Sequence, residues 1–273
     1  MSKGNPNPKF SMLIDTTLCV GCEKCVDECK ELNKTGRDRA SRWNENSSDL
    51  SDTRYTTIIR KGDAFVRRSC RHCLEPACAS ACIVGALQHT DDGPTVYDKG
   101  KCMGCRYCMM ACPFGIPRYE WQKAAPAIRK CVFCYEKIKN GEIKEPGCVS
   151  ACPQKVTLFG TRNDMLAVAK ERIDKNPGKY FNNHIYGGDE VGGTSVMLIS
   201  NIDLNFLGWR PDMDKTPLPQ LTWAALSKVP PVVLGMGAFA TAAYWIIGRR
   251  MKLQQERVNA ELKAEEVDKK QDQ

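Results

Sequence analysis

The chain has 273 residues, enough for two small domains with appendages. Sixteen are cysteine, and all of them fall into four groups of four, which argues against the disulfide framework of a secreted protein. A formal net charge of +8 would ordinarily point to nucleic acid or anionic lipid, so any such reading must first account for the cysteines.

Met1–Ser11 is polar and Pro/Asn-rich, without an apolar h-region or twin arginine, and does not read as a signal peptide. The first cysteine run follows as Cys19, Cys22, Cys25 and Cys29, with two, two and three intervening residues. Gly21 sits in its first gap, and Lys30 after the last cysteine predicts a continuing short helix. Asn33–Thr57 is polar and aperiodic and reads as a loop or insertion. Tyr55–Arg60 and Ala64–Arg68 read as strands of a hairpin turning at Gly62-Asp63.

The second run is Cys70, Cys73, Cys78 and Cys82, with a middle gap of four residues that holds Glu75-Pro76. His72 lies inside this run and has two readings: a donor to sulfur, or a packed or solvated residue. Thr95–Tyr97 is a brief extended stretch leading into the third run.

That third run, KCMGCRYCMMACPFGIP, carries Cys102, Cys105, Cys108 and Cys112-Pro113 and is the most specific signal in the chain. It matches the bacterial iron–sulfur pattern C-x2-C-x2-C-x3-C-P. A tight loop aims three thiolates at one cubane face, and Gly104 lets the backbone turn beneath it without a Cβ. The fourth thiolate leaves on the following segment and, in two-cluster proteins, ligates the neighbouring cluster. Trp121 beyond it reads as packing around a cluster or as part of an electron path.

The fourth set is Cys131, Cys134, Cys148 and Cys152-Pro153, with YEKIKNGEIKEPG as a charged helix-turn excursion in its second gap. Asn163–Ile173 reads as an amphipathic helix with Asn163 as its N-cap. His184–Ser200 is glycine-rich but lacks a P-loop's GK[ST], and ends in a strand at Ser195–Ile199. Gly208–Gln220 is proline-bearing and reads as extended.

Val229–Gly248 has twenty consecutive uncharged residues, the length of a transmembrane helix. Pro230 and Pro231 suit its first turn, and Trp223, Tyr244 and Trp245 its interfaces. Arg210, Lys215 and Lys228 precede it, whereas Arg249, Arg250, Lys252, Arg257 and Lys263 follow, which puts the C-terminus in the cytoplasm. Residues 249–273 form a charged tail.

Four runs predict four [4Fe–4S] clusters. With four thiolates each oxidised cluster carries about −2, so the basic excess balances the chain's own cofactors and no nucleic acid is required. Arg71, Lys101, Arg106, Arg118 and Lys130 lie near cluster cysteines, in keeping with this or with ordinary surface charge. The simplest nesting pairs run one with four and run two with three. Cys19, Cys22, Cys25 and Cys152 then hold one cluster, and Cys29, Cys131, Cys134 and Cys148 its neighbour. Cys70, Cys73, Cys78 and Cys112 hold a third, and Cys82, Cys102, Cys105 and Cys108 the fourth. Pairing adjacent runs, first with second, is the alternative.

The predicted fold is α+β: two pseudo-symmetric bacterial-ferredoxin-like halves plus one C-terminal transmembrane helix. Residues 11–62 and 125–165 would form the first half and 63–124 the second. Residues 166–228 would be an extension packed on both. Clusters with complete cysteine ligation transfer single electrons and bind no substrate, so no catalytic residue is expected. Two other classes remain: a membrane-anchored scaffold stapled by four-cysteine zinc sites, and an iron–sulfur reductase subunit with catalysis at one cluster.

The four runs, PFGIPRYEW, HIYGGDEVGGTSV and the late apolar helix together resemble the iron–sulfur β subunits of membrane-bound respiratory oxidoreductases. The nearest are the formate dehydrogenase β subunit and the electron-transfer subunit of membrane [NiFe] hydrogenase. The resemblance implies nested ligand exchange and two protein partners. The run-one/run-four half would face a catalytic subunit, and the other half an integral quinone-reactive subunit such as a cytochrome b. It also implies residence in the inner membrane with the clusters on the periplasmic side, exported together with a signal-bearing partner.

Overall fold

Short strands bracket the cysteine loops, and their pairing decides which loops meet. The computed structural model describes residues 5–36, 50–210 and 213–271. Residues 37–49 of the expected polar loop lie outside the described residues, as do 1–4 of the N-terminal stretch, 211–212 of the proline-bearing stretch and 272–273 of the tail.

Strand β1 (Ser11–Asp15) is wholly buried and leads into the first cysteine loop, after which helix α1 (Lys24–Asn33) carries Cys25 and Cys29. Strands β2 (Thr57–Lys61) and β3 (Ala64–Arg68) form the expected hairpin, with Ile59 opposite Val66. Helix α2 (Ala77–Ser80) carries Cys78. Strands β4 (Leu87–His89) and β5 (Thr95–Tyr97) pair between Cys82 and Cys102, and helix α3 (Tyr107–Ala111) carries Cys108. Strands β6 (Arg118–Tyr119) and β7 (Ile128–Arg129) pair between Cys112 and Cys131. Helices α4 (Tyr135–Lys139) and α5 (Gly147–Ser150) make up the charged excursion. Strand β8 (Thr157–Gly160), helix α6 (Arg162–Lys175) and strand β9 (Val196–Ile199) follow.

β1 lies at the centre of a three-stranded sheet, antiparallel to β8 and parallel to β9. Because β1 precedes run one and β8 follows run four, their pairing brings those two loops together. α1 packs on α5 beside them, and Gly147 permits the close approach: a Cβ there would collide with Leu32 Cδ1. In the same way α2 packs on α3, joining runs two and three. α6 covers the other face of the sheet with Met165, Ala169 and Ile173 against Leu13, Met197 and Ile199.

The N-cap of α6 is Thr161, not Asn163. Thr161 Oγ1 accepts the Asp164 N–H while donating to its carboxylate, a pairing Asn163 could make only by shortening the helix. Asn163 instead donates its backbone N–H to Asn7. The stretch expected to be extended turns helical at its end, where α7 (Leu218–Leu226) begins after Pro217.

The chain divides into two units, residues 1–220 and 221–273. The second is dominated by α8 (Val229–Gln271), one continuous helix with Pro230 and Pro231 in its first turn. It includes the one segment among the described residues long and apolar enough to cross a membrane. Its apolar side chains, among them Leu234, Phe239 and Ile247, are exposed. Thr241 returns its hydroxyl to the Gly237 carbonyl, which satisfies it within the helix. Arg249 lies over Trp245 at the far end, where a membrane interface favours both. The architecture is thus α+β, a ferredoxin-like cluster domain followed by one long apolar C-terminal helix.

Candidate metal centres

All four C-x2-C loops repeat one backbone feature. The residue before the second cysteine has a left-handed φ in each: Gly21 at 67°, His72 at 48°, Gly104 at 74° and Phe133 at 65°. In three of these loops the same residue also turns its own N–H toward the first thiol. Phe133 donates its N–H to Cys131 Sγ at 3.4 Å, and Gly21 and Gly104 do the same for Cys19 and Cys102. Glycine adopts this φ freely, whereas His72 and Phe133 must be held there. They hold each other: both are 1% exposed, and their rings meet edge to face with centroids 5.0 Å apart.

The last cysteine of three runs accepts an N–H from four residues onward. Ala86 donates to Cys82 at 3.2 Å, Val156 to Cys152 at 3.4 Å, and Ile116 to Cys112. Run one differs because α1 continues, and there the donor is the Asn33 side-chain amide, which reaches both the Cys29 carbonyl at 2.7 Å and Cys29 Sγ at 3.6 Å. N–H donors aimed at sulfur suit a thiolate or a sulfide, and they tune the potential of an iron–sulfur centre.

Three cavities are lined by cysteines of more than one run. Cys19, Cys22, Cys25 and Cys152 line one together with Cys148. Cys29, Cys131, Cys134 and Cys148 line the next together with Cys70 of run two. Cys82, Cys102, Cys105 and Cys108 line the third. The remaining four also converge: Cys70, Cys78 and Cys112 are the thiols whose charges bear on Cys73. Among the described residues no three Cys, His, Asp or Glu side chains converge on a point where one ion could sit. A tetrahedral zinc site requires that convergence, whereas a cubane spreads its thiolates around a larger body.

Burial sets the chemistry of these thiols. It pushes Cys25, Cys78 and Cys131 up to about 12, with neighbouring thiols adding to the rise, so none of them is a free nucleophile at neutral pH. Cys102 behaves oppositely. Burial is the largest single influence and raises it, but hydrogen bonds from the Tyr97 hydroxyl and the Ile128 and Gly104 amides together outweigh this and lower it.

Buried cations surround the cavities. Arg71 lies over the Trp209 ring, and its Nε and both Nη atoms find no acceptor among the described residues. Lys130 donates to the Thr95 and Cys131 carbonyls and lies 4.0 Å from Cys70 Sγ. These two belonged to the basic set expected near cysteines. Arg67 and Arg68 did not, yet both are buried. Buried positive charge without a carboxylate partner requires an anion, and a thiolate-ligated cluster is one. These observations together fit [4Fe–4S] clusters.

His72 is packed, not solvated, and no hydrogen bond from its ring to sulfur occurs among the described residues. Its Nδ1 accepts the Thr95 N–H at 3.0 Å, which leaves Nε2 carrying the proton, buried and without a partner. Trp121 is not packed around a cluster. It is 67% exposed and stands edge-on to Tyr119, with Arg106 over both rings.

A family model described as a 4Fe-4S dicluster domain matches residues 63–162. A protein of Nitratidesulfovibrio vulgaris is 38% identical over 271 residues, spanning 94% of this chain and 70% of that relative. The hydrogenase-2 operon protein HybA of Escherichia coli O157:H7 is 33% identical over 233 residues, 71% of this chain and 70% of its own length. The iron–sulfur subunit of the nitrate-inducible formate dehydrogenase of Escherichia coli K12 is 34% identical over 205 residues, 70% of this chain and 68% of that subunit. By its cysteine loops and by this similarity, the chain belongs to the 4Fe-4S family of iron–sulfur electron-transfer subunits that includes HybA and the formate dehydrogenase iron–sulfur subunits.

Proposed function

We propose that this subunit carries four [4Fe–4S] clusters and passes single electrons between a catalytic oxidoreductase subunit and an integral, quinone-reactive membrane subunit. The observation that supports it most is that each of three cavities gathers four or five thiols from more than one run, the proposed four among them in every case. Cys19, Cys22, Cys25 and Cys152 would hold one cluster, and Cys29, Cys131, Cys134 and Cys148 a second. Cys70, Cys73, Cys78 and Cys112 would hold a third, and Cys82, Cys102, Cys105 and Cys108 a fourth. Each bound cluster supplies a one-electron centre with no open coordination site.

The chain's own residues hold the thiols, exclude water from the inner cavities and aim N–H donors at sulfur. Clusters with complete cysteine ligation offer an organic substrate no open coordination site, so in this reading catalysis belongs to a partner of the formate dehydrogenase or [NiFe] hydrogenase type. Residues 11–62 with 125–165, and residues 63–124, act as the two cluster-bearing halves, and 166–228 as an extension across them. The apolar helix 229–248 anchors the chain in the inner membrane, with the clusters on the periplasmic side and 249–273 in the cytoplasm.

Iron and acid-labile sulfide on anaerobically purified protein test the cofactor count. About sixteen of each per chain is expected, whereas about eight would leave a two-cluster protein and refute the relay. Protease added outside spheroplasts should cut the cluster domain, and cutting only in inverted vesicles overturns the orientation. Solubilised membranes should yield the chain together with a catalytic and a membrane subunit.

A further inference from the structure

Arg67 stands out among the buried cations because it faces two cavities at once. It lies on β3 opposite Ile58 and is 4% exposed. It lines the cavity of Cys19, Cys22, Cys25 and Cys152 and also that of Cys29, Cys131, Cys134 and Cys148. Cys148 borders both as well, so the two cavities are neighbours with Arg67 in the wall between them. Among the described residues its one polar contact is Nη2 to Met12 Sδ at 3.6 Å, and Nε and Nη1 find no acceptor there.

An arginine stays ionised in proteins, so this charge cannot be shed by losing a proton. Burial alone opposes the charged form, yet the thiols of Cys148, Cys25, Cys131 and Cys29 outweigh it and strengthen the guanidinium's hold on its proton. Two of those cysteines border one cavity and three the other, Cys148 being common to both. A fork of five N–H donors is suited to reaching acceptors on two sides, which a single ammonium cannot do.

We infer that Arg67 is a shared positioning residue for the two neighbouring clusters of the run-one/run-four half, donating N–H groups to sulfur on both sides and raising both reduction potentials. The inference rests on the four-cluster reading above. Reduction adds negative charge to a cluster, and a cation fixed in a low-dielectric wall stabilises the reduced form of each neighbour more than the oxidised form. One residue thereby ties the driving force at two consecutive centres to a single charge.

The test is an EPR-monitored redox titration of the detergent-solubilised full chain with its partners, comparing wild type, Arg67→Gln and Arg67→Lys. Iron and sulfide are counted on the same samples. With Arg67→Gln, two of the four midpoint potentials should fall together while the other two stay. With Arg67→Lys, the charge remains but the fork is lost, so the same two should fall unequally. The magnetic broadening between neighbouring reduced clusters should persist in both, showing that the wall has not collapsed. Full iron with all four potentials unmoved overturns the inference, as does an equal shift of all four. If Arg67→Gln loses iron, the lysine variant decides: an unequal fall sustains the inference and unmoved potentials overturn it. A wild-type iron count well below about sixteen would instead refute the four-cluster reading, which separates the two failures.

Discussion

The two cavities beside Arg67 and the one around Cys102 are built from the same loop, yet their surroundings differ sharply. The inner pair lies under the three-stranded sheet and the β2–β3 hairpin, among Met12, Ile59, Val66, Phe133 and Val196. Cys102, Cys105, Cys108 and Cys82 sit instead beneath a rim where Ile83, Met103, Met110 and Trp121 are exposed. Burial pushes the inner Cys25 and Cys131 up to about 12, while donors from Tyr97, Ile128 and Gly104 lower Cys102. Both kinds of centre receive N–H donors at sulfur and both include a buried thiol, Cys108 at the rim being pushed up to about 11 by burial. The inner pair adds the buried Arg67. The loop sequence therefore says that a cluster binds, and the environment says how tightly it is sheltered.

Serine substitution of one ligand on each side should break this comparison most forcefully if it is wrong. Cys105→Ser should cost about four irons and leave the remaining fold intact, since that loop is at the rim. Cys131→Ser should cost more iron and expose the whole domain to protease, because Cys131 packs into the main core. Iron content with limited proteolysis reads both, and the reverse ranking would show that shelter does not decide stability.

The left-handed glycines sharpen the same contrast at smaller amplitude. Gly104→Ala places a Cβ 3.1 Å from the Pro126 carbonyl and should cost about 1–2 kcal/mol, mostly from its φ. Gly21→Ala carries that cost too, and its Cβ would also lie 2.5 Å from the Phe65 ring, so its loss should be larger. Melting followed by cluster absorbance ranks the two, and equal losses would mean that the Phe65 ring gives way freely.

Near the rim, Glu120 is the buried hub of the β6–β7 hairpin. It accepts from Lys123 Nζ at 2.6 Å, Arg129 Nε at 2.8 Å and the Ala127 N–H at 3.1 Å. Glu120→Gln keeps the shape but loses the charge, and should cost about 1–3 kcal/mol. The loss should appear in melting of the holoprotein, with the iron content of the purified protein unchanged.

What was legible in the sequence was whatever follows from local spacing. The cysteine runs, the β2–β3 hairpin, α1 continuing past Cys29 and the apolar helix follow from a few adjacent residues each. Strands β1 and β8 were not legible, because five and four apolar-leaning residues beside a cysteine loop carry no measurable period. Arg67 was missed for a related reason: an arginine in a hairpin strand normally faces water, and only the thiols from distant runs make its burial tolerable. The left-handed places of His72 and Phe133 were open to view. Aligning the four C-x2-C loops on Gly21 and Gly104 puts both residues in glycine's position.

The smallest effect is expected at His184, in the extension and away from every cysteine cavity. His184 Nε2 pairs with Glu190, whose other oxygen accepts the Gly187 and Asp189 N–H groups. The Glu190 hydrogen bond outweighs burial and raises His184 above its ordinary value, so the folded state holds the proton more tightly than the unfolded state. The pair's contribution is therefore complete below about pH 6.5 and declines as pH rises through the folded-state value. His184→Gln should remove that decline: the wild type loses melting temperature relative to the variant as pH rises above about 6.5. Because His184 is half-exposed, solvent screens the pair and the difference should be small. All cluster potentials should stay where they are. A potential that moved with His184→Gln would mean that the glycine-rich extension and the cysteine loops are electrostatically one site, and the separation between sheltered and rim centres would need a third participant.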